Sequence, residues 1–127
     1  MGERRGRMVR LDHVQLAIPA GSEDACRRFY VDVLGMVEIP KPPALASRGG
    51  VWLQDGDVQL HLGVEAEFRP ARKAHPAIDL ADLNELAATL ANDGYEPLWD
   101  QAIPSLRRFY VADPIGNRIE FVEDRHE

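Results

Sequence analysis

Apolar and polar positions alternate along Leu11–Ile18 (LDHVQLAI). Val14, Leu16 and Ile18 fall on one side, and His13, Gln15 and Ala17 on the other, which is the period of a strand with one buried face. Pro19–Gly21 ends that run. The period then lengthens. Ala25, Phe29 and Val33, with Cys26 beside them, make the apolar stripe of a helix predicted from Ser22 to about Leu34. Ser22 suits the N-cap, Glu23 and Asp24 suit the first turn, and Gly35 suits the position after the last turn. Val37–Ile39 is a short strand, and Lys41–Gly50, with Pro42, Pro43, Gly49 and Gly50, is predicted as a loop. Val51–Gln54 and Val58–Val64 flank an Asp55-Gly56 turn, a strong hairpin signal. In the later strand Val58, Leu60 and Leu62 share a face, with Gln59 and His61 opposite.

Residues 65–74 are polar and carry Pro70, so they read as a connector. The pattern then restarts. His75–Leu80 is a strand. Asp82, with Glu85 at capping-box spacing, opens a helix striped by Leu83, Leu86, Ala87 and Leu90 and ended by Gly94. Pro97–Asp100, Arg107–Ala112 and Arg118–Val122 are strands, and the turn cluster Asp113-Pro114-Ile115-Gly116-Asn117 precedes the last of them. Ile119 and Phe121 share one face of that strand, and Arg118 and Glu120 the other.

Each half therefore reads strand, helix, then three strands. The expected organisation is a basic tail over 1–8, one domain over 9–123 (halves 9–64 and 75–123, connector 65–74) and a short tail over 124–127. His13 and His75 open equivalent strands. Leu60-His61-Leu62 and Ile119-Glu120-Phe121 are equivalent triplets near the ends of the halves. Alternation puts each apolar face toward its helix. His13, Gln59, His61, His75, Arg118 and Glu120 then face away, onto what is the concave side of a curved sheet. Three imidazoles and one carboxylate on four strands are a plausible set for Zn, Fe, Mn, Ni or Co. Gln59 competes with His61 for the fourth place, because both lie on the same face.

Composition narrows the function classes. Formal net charge is −6 over 127 residues, which argues against nucleic acid as the main partner. The basic residues are 13 arginines and 2 lysines, and four of the arginines fall within residues 1–10. The single cysteine, Cys26, rules out a disulfide framework, reads as a core thiol and suits a reducing, cytoplasmic compartment. No apolar run is long enough to span a membrane. His126 fits a solvated tail. Arg69, Arg72, Lys73, Arg107 and Arg108 read as solvated loop charge or as binders of a carboxylate or phosphate, and Arg118 on the concave face is the better candidate for that role. Trp52 and Trp99 are candidates for lining the cavity, with core packing as the other reading.

The strand LDHVQLAI, the helix segment ACRRFYVDVLGM, the restart AHPAIDL and the ending RRFYVADPIGNRIEFVE resemble the vicinal oxygen chelate superfamily over about residues 9–123. This is the group of glyoxalase I, fosfomycin and bleomycin resistance proteins and extradiol dioxygenases. The resemblance implies an α+β fold: two βαβββ modules in an eight-stranded half-open barrel, with the helices on its outer face. It implies metal ligands at His13, His61, His75 and Glu120, with Zn, Ni, Mn or Fe(II) as the cofactor. Glu120 and His61 would be the groups that move protons, and Gln15, Gln59, Arg118, Trp52 and Trp99 would surround a small-molecule substrate.

Glyoxalase I resembles a site with a carboxylate in each half, whereas this chain has His61 in the first. Extradiol enzymes usually carry two such paired-module domains, and this chain has length for one. The Ser/Gly-rich potassium loop of the fosfomycin transferases is not evident. Two functional expectations follow: a metal-dependent lyase, isomerase, transferase or dioxygenase, or a metal-free small-molecule binder of the bleomycin-resistance type. Relatives with paired modules often share them between two chains, which implies a homodimer.

Overall fold

The computed structural model describes residues 6–123. The first five positions of the basic tail, and 124–127 with His126, lie outside the described residues, while residues 6–8 are exposed and form neither helix nor strand. The first half comprises β1 (Val14–Ile18), α1 (Glu23–Arg27), β2 (Val37–Ile39), β3 (Val51–Asp55) and β4 (Val58–Val64). The second comprises β5 (Ala77–Leu80), α2 (Leu83–Asn92), β6 (Leu98–Trp99), β7 (Arg108–Ala112) and β8 (Arg118–Glu123). Two four-stranded sheets result, ordered β1-β4-β3-β2 and β5-β8-β7-β6. Both are mixed: β1 runs parallel to β4 and β5 parallel to β8, while the remaining pairs are antiparallel. The sheets do not close, so the architecture is the expected α+β half-open barrel.

The registers repeat as the sequence does. Gln15 sits opposite His61 in β1–β4, and Ala77 sits opposite Glu120 in β5–β8. His13 and His75 each lie two residues before those partners. His61, rather than Gln59, is thus the register equivalent of Glu120.

Some local expectations change. The first helix is α-helical only to Arg27; residues Arg28–Val33 continue as a π-helical turn, in which Leu34 N–H donates to Phe29 O at 2.9 Å. Ser22 makes no side-chain cap; its hydroxyl donates back to Pro19 O at 2.7 Å instead. The predicted loop carries a 3-10 helix over Pro43–Arg48. β1 begins three residues and β5 two residues later than the pattern suggests, so His13 and His75 each precede their strand. Asp82 does cap α2, accepting from Glu85 N–H at 3.1 Å. Gly50 immediately precedes β3 with φ of +88°, and a Cβ there would lie 2.2 Å from Leu62 O, so only glycine lets the chain approach β4 at this point.

One apolar core spans both halves, with Leu16, Ile18, Phe29, Leu53, Leu60 and Leu62 from the first and Leu83, Leu90, Phe109, Ile119 and Phe121 from the second. A polar junction lies within it. The Tyr30 hydroxyl donates to Asp113 Oδ2 at 2.7 Å, and Asp113 Oδ1 accepts from Asn117 N–H at 2.8 Å and Ile115 N–H at 3.1 Å. Asn117 in turn donates to Ala17 O at 2.9 Å and accepts from Ala71 N–H at 2.8 Å. First strand, connector and last hairpin are tied at one place. Burial lifts the Asp113 carboxyl above its ordinary range, and burial also raises the Tyr30 phenol well above its own. Cys26, beside this junction, has its thiol pushed up by burial to about 11, as expected of a core thiol.

Tyr30→Phe leaves Asp113 short of one donor and should cost about 1–3 kcal/mol in a urea melt at neutral pH. The sign of the pH effect is set by the raised phenol. An unfolded chain ionises its tyrosine near the ordinary 10.0, while the folded chain does not, so stability falls as pH rises past that value. Melts above pH 10 should therefore fall less steeply for Tyr30→Phe than for the wild type; equal slopes contradict this account of Tyr30.

Candidate functional site

Alternation sends Leu60 and Leu62 of β4 into the core and leaves Gln59 and His61 on the sheet face away from it. His61 is nonetheless buried, at 4% exposure. The reason is stacking. β4 lies between β1 and β3, and a ring arrives from each side. Trp52 stacks on His61 with centroids 3.8 Å apart and planes at 5°, and His13 stacks at 4.0 Å and 16°. His61 Nε2 meets Gln59 Oε1 at 2.9 Å. Burial, and then the neighbouring His13, lower the His61 pKa, so the ring is held neutral. Gln15 lies beside this stack, its amide 2.9 Å from where a Cβ on Gly63 would be; glycine makes room for it. His13 is more exposed, and its Nδ1 is 2.9 Å from Asp12 Oδ2.

The second half carries a different set on the equivalent face. His75 Nε2 is 2.8 Å from Glu120 Oε1, and His75 Nδ1 is 2.7 Å from Lys73 O. Glu120 Oε2 accepts from Arg108 at 3.3 Å, and the same guanidinium reaches Asp100 at 3.3 Å. Tyr110 is paired with Glu120 across β7–β8 and meets the His75 ring edge-on at 5.4 Å. Arg118 lies over the Tyr110 ring at 4.8 Å.

The expected residues therefore gather in two groups. His13, His61, Gln59, Gln15 and Trp52 belong to the first sheet; His75, Glu120 and Arg118 belong to the second. The starts of β1 and β5 approach each other: Asp12, His13, Gln59, Pro76 and Ala77 line one cavity of about 170 Å³. Among the described residues, no three His, Cys, Asp or Glu side chains are grouped to hold a metal. Trp99 is placed elsewhere. It pairs with Phe109 and meets that core ring at 5.1 Å, so it lies on the opposite sheet face from Glu120, with Arg107 over its ring at 4.9 Å. Parity explains this: Phe109 points inward, and its cross-strand partner must share its face.

Tyr110 and Asp100 are members that pattern alone does not single out for the site, and pattern groups Arg108 with Arg107 as loop charge or an anion binder rather than placing it beside Glu120. The signal was present in the alternation of Arg108, Phe109 and Tyr110 along β7. Arg107, next to Arg108 in sequence, pairs with Glu123 and Asn84 and takes no part.

His13 and His61 each have one ring nitrogen engaged by an oxygen, whereas both nitrogens of His75 are engaged. A backbone carbonyl can only accept, so His75 Nδ1 carries the hydrogen, and its Nε2 presents a lone pair unless protonated. That lone pair faces a carboxylate oxygen at 2.8 Å. At that separation the two share a proton, which a metal ion bound by both would replace. Engagement of the distal nitrogen by a carbonyl or carboxylate is also how metal-binding histidines are commonly oriented. The donor chemistry thus fits a divalent transition metal, and the donors stand as two pairs.

Comparison with known proteins agrees with the fold. Residues 10–121 match the Glyoxalase/Bleomycin resistance protein/Dioxygenase superfamily. The chain is 46% identical to a putative glyoxalase family protein from Bacillus anthracis, covering 96% of this chain and 100% of that one with a TM-score of 0.91. Two more distant structures share the fold. A lactoylglutathione lyase from Agrobacterium tumefaciens is 18% identical, covering 95% of this chain and 96% of that one with a TM-score of 0.67. An antibiotic-binding protein from a Streptomyces species is 19% identical, covering 94% and 100% with a TM-score of 0.71. No curated protein matches the chain closely. Among the described residues no helix is long and apolar enough to cross a membrane. The paired βαβββ halves, the registers that equate His61 with Glu120 and the match across residues 10–121 together place the chain in the Glyoxalase/Bleomycin resistance protein/Dioxygenase superfamily.

Proposed function

We propose that this chain is a divalent-metal-dependent enzyme acting on a small oxygenated substrate, with His13, His75 and Glu120 as the metal donors. The observation that supports it is the 2.8 Å approach of His75 Nε2 to Glu120 Oε1 while Nδ1 is held by Lys73 O. A bound Zn, Ni, Mn or Fe(II) would act as a Lewis acid on vicinal oxygens of the substrate. The reaction is of the lyase, isomerase, transferase or dioxygenase type.

The chain's own groups divide the remaining work. Burial favours the neutral form of His61, and its ring plane lies nearly parallel to that of His13. Ring-nitrogen lone pairs lie in the ring plane, so two stacked rings do not converge on one ion without one of them tilting. His61 is accordingly assigned to proton transfer, oriented by Gln59, rather than to the first rank of donors. Glu120 is the second proton-handling group, poised by Arg108. Trp52 and Gln15 bound the first-half side of the cleft.

The family's habit of sharing paired modules between two chains supports a homodimer, in which His13 of one chain and the His75–Glu120 pair of another would serve a common site. A cytoplasmic setting belongs to the same proposal and is supported by the single, buried Cys26. The second reading, metal-free binding of a small molecule, is favoured by one observation: the Trp52–His61–His13 stack is a ready platform for an aromatic ligand.

Protein purified without chelators or histidine tags should carry, or take up, close to one equivalent of Zn, Ni, Mn or Fe(II) by elemental analysis. His75→Ala and Glu120→Ala should each weaken uptake at least about tenfold. His61→Ala and Gln59→Ala should change it much less. Equal losses in His61→Ala would move His61 into the donor set. A protein that stays metal-free with all four ions, and binds an aromatic ligand that Trp52→Ala releases, supports the second reading instead.

Mixing tests the shared site. His13→Ala and Glu120→Ala chains, each deficient alone, should recover part of the wild-type metal content when unfolded and refolded together, because one site of each mixed dimer is intact. No recovery places the donors within single chains.

A further inference from the structure

The polar face of the second sheet carries more positive charge than its carboxylates use. Arg108 is engaged by both Glu120 and Asp100. Arg118 and Arg72 have no ion pair among the described residues, in a chain whose net charge is −6. They meet at one place. Arg118 N–H donates to Ala71 O at 2.9 Å, which sets Arg72 beside the start of β8. Arg72, Arg118, Tyr110 and Leu98 line an open cavity of about 370 Å³, with Ala112 and Gly116 as its small-residue wall. Ala112 stands opposite Arg118 in β7–β8, so no bulky side chain competes for the guanidinium. Arg118 lies 4.8 Å over the Tyr110 ring.

We propose that this cavity is the subsite for an oxyanion group of the substrate, a carboxylate or a phosphate. Arg118 binds it through paired N–H donors, assisted by Arg72, while Tyr110 and Leu98 contact the adjoining apolar carbon. The guanidinium fork matches two oxygens of either group, and its attraction is strengthened where the ring shields it from water. The subsite rests on the proposed enzymatic reading, and it deepens that reading by naming a substrate class. Arg118 and Glu120 are two residues apart on one strand, roughly 7 Å along the chain. A substrate anchored at Arg118 would therefore present to the His75–Glu120 pair atoms only a few bonds from its acid group. Small organic acids or phosphate esters fit this spacing. The assignment also explains why unpaired arginines stand on the cavity side of an acidic protein.

The test is binding of simple probes, followed through backbone amide shifts of the metal-free wild-type protein. Benzoate and phenyl phosphate should saturate, moving Tyr110, Arg118, Leu98 and Arg72 together, and neutral benzamide should bind at least about tenfold more weakly. Whichever acid binds tighter distinguishes carboxylate from phosphate. Arg118→Gln should weaken the preferred acid about tenfold or more without changing benzamide. Arg118→Lys, which keeps the charge but not the fork, should recover only part of the loss. Benzamide binding as tightly as benzoate, or Arg118→Gln binding like the wild type with its amide spectrum otherwise preserved, overturns the subsite. The readout needs no metal. Anion binding without metal uptake would leave this subsite standing while the metal reading fails, and the converse would do the opposite.

Discussion

The Asp113 carboxylate fixes how the two halves sit together. It lies in the core at 4% exposure, where an unsatisfied acceptor would be costly, and the chain answers with the Tyr30 hydroxyl and the N–H groups of its own turn. Tyr30 belongs to the first half and Asp113 to the second. Asn117 extends the same network to Ala17 in β1 and Ala71 in the connector. With those points tied, the starts of β1 and β5 border one cavity, lined by His13 from the first half and by Pro76 and Ala77 from the second. The apolar core around this junction stabilises the fold; the polar junction selects which arrangement of the halves it takes.

Everything chemical follows from the other face. Once Leu60, Leu62, Ile119 and Phe121 are committed to the core, period two leaves His61, Gln59, Glu120 and Arg118 outside. The two halves then diverge within the same geometry. The first equips its face with stacked rings and one neutral histidine. The second equips its face with a carboxylate set between an imidazole and a guanidinium, and with further arginines. Duplicated backbone supplies the symmetry, and unequal side chains supply a proton-transfer side and a charged side. That asymmetry is what a site needs in order to orient a substrate rather than merely enclose it.

Much of this was legible along the chain. The two strand-helix-hairpin units, the Asp82 cap, the core face of each long strand and the equivalence of His61 with Glu120 all followed from period, turn residues and spacing. What escaped depended on tertiary contacts. Tyr30 was absent from the predicted apolar stripe because its burial depends on Asp113, more than eighty residues away. Pattern leaves Trp99 open between the cavity and the core, and only its register with Phe109 decides for the core side. Arg108 and Arg107 look alike in sequence; one residue of strand parity sends the first to Glu120 and the second to Glu123. The burial of His61 likewise required knowing that Trp52 and His13 arrive from neighbouring strands.

The central proposal is that His75 and Glu120, which contact each other at 2.8 Å, would bind a divalent cation together with His13, and that His61 would stand outside that donor set. Nitrogen-15 spectra of the imidazole rings test this directly, because each ring nitrogen reports whether it carries a hydrogen, a lone pair or a metal. On titration with Zn, the account predicts that Nε2 of His75 and of His13 move to metal-bound positions. His75 Nδ1 should keep its hydrogen, and both His61 nitrogens should stay in place. A His75 Nε2 that does not respond at saturating Zn, or a His61 ring that responds in its stead, contradicts it.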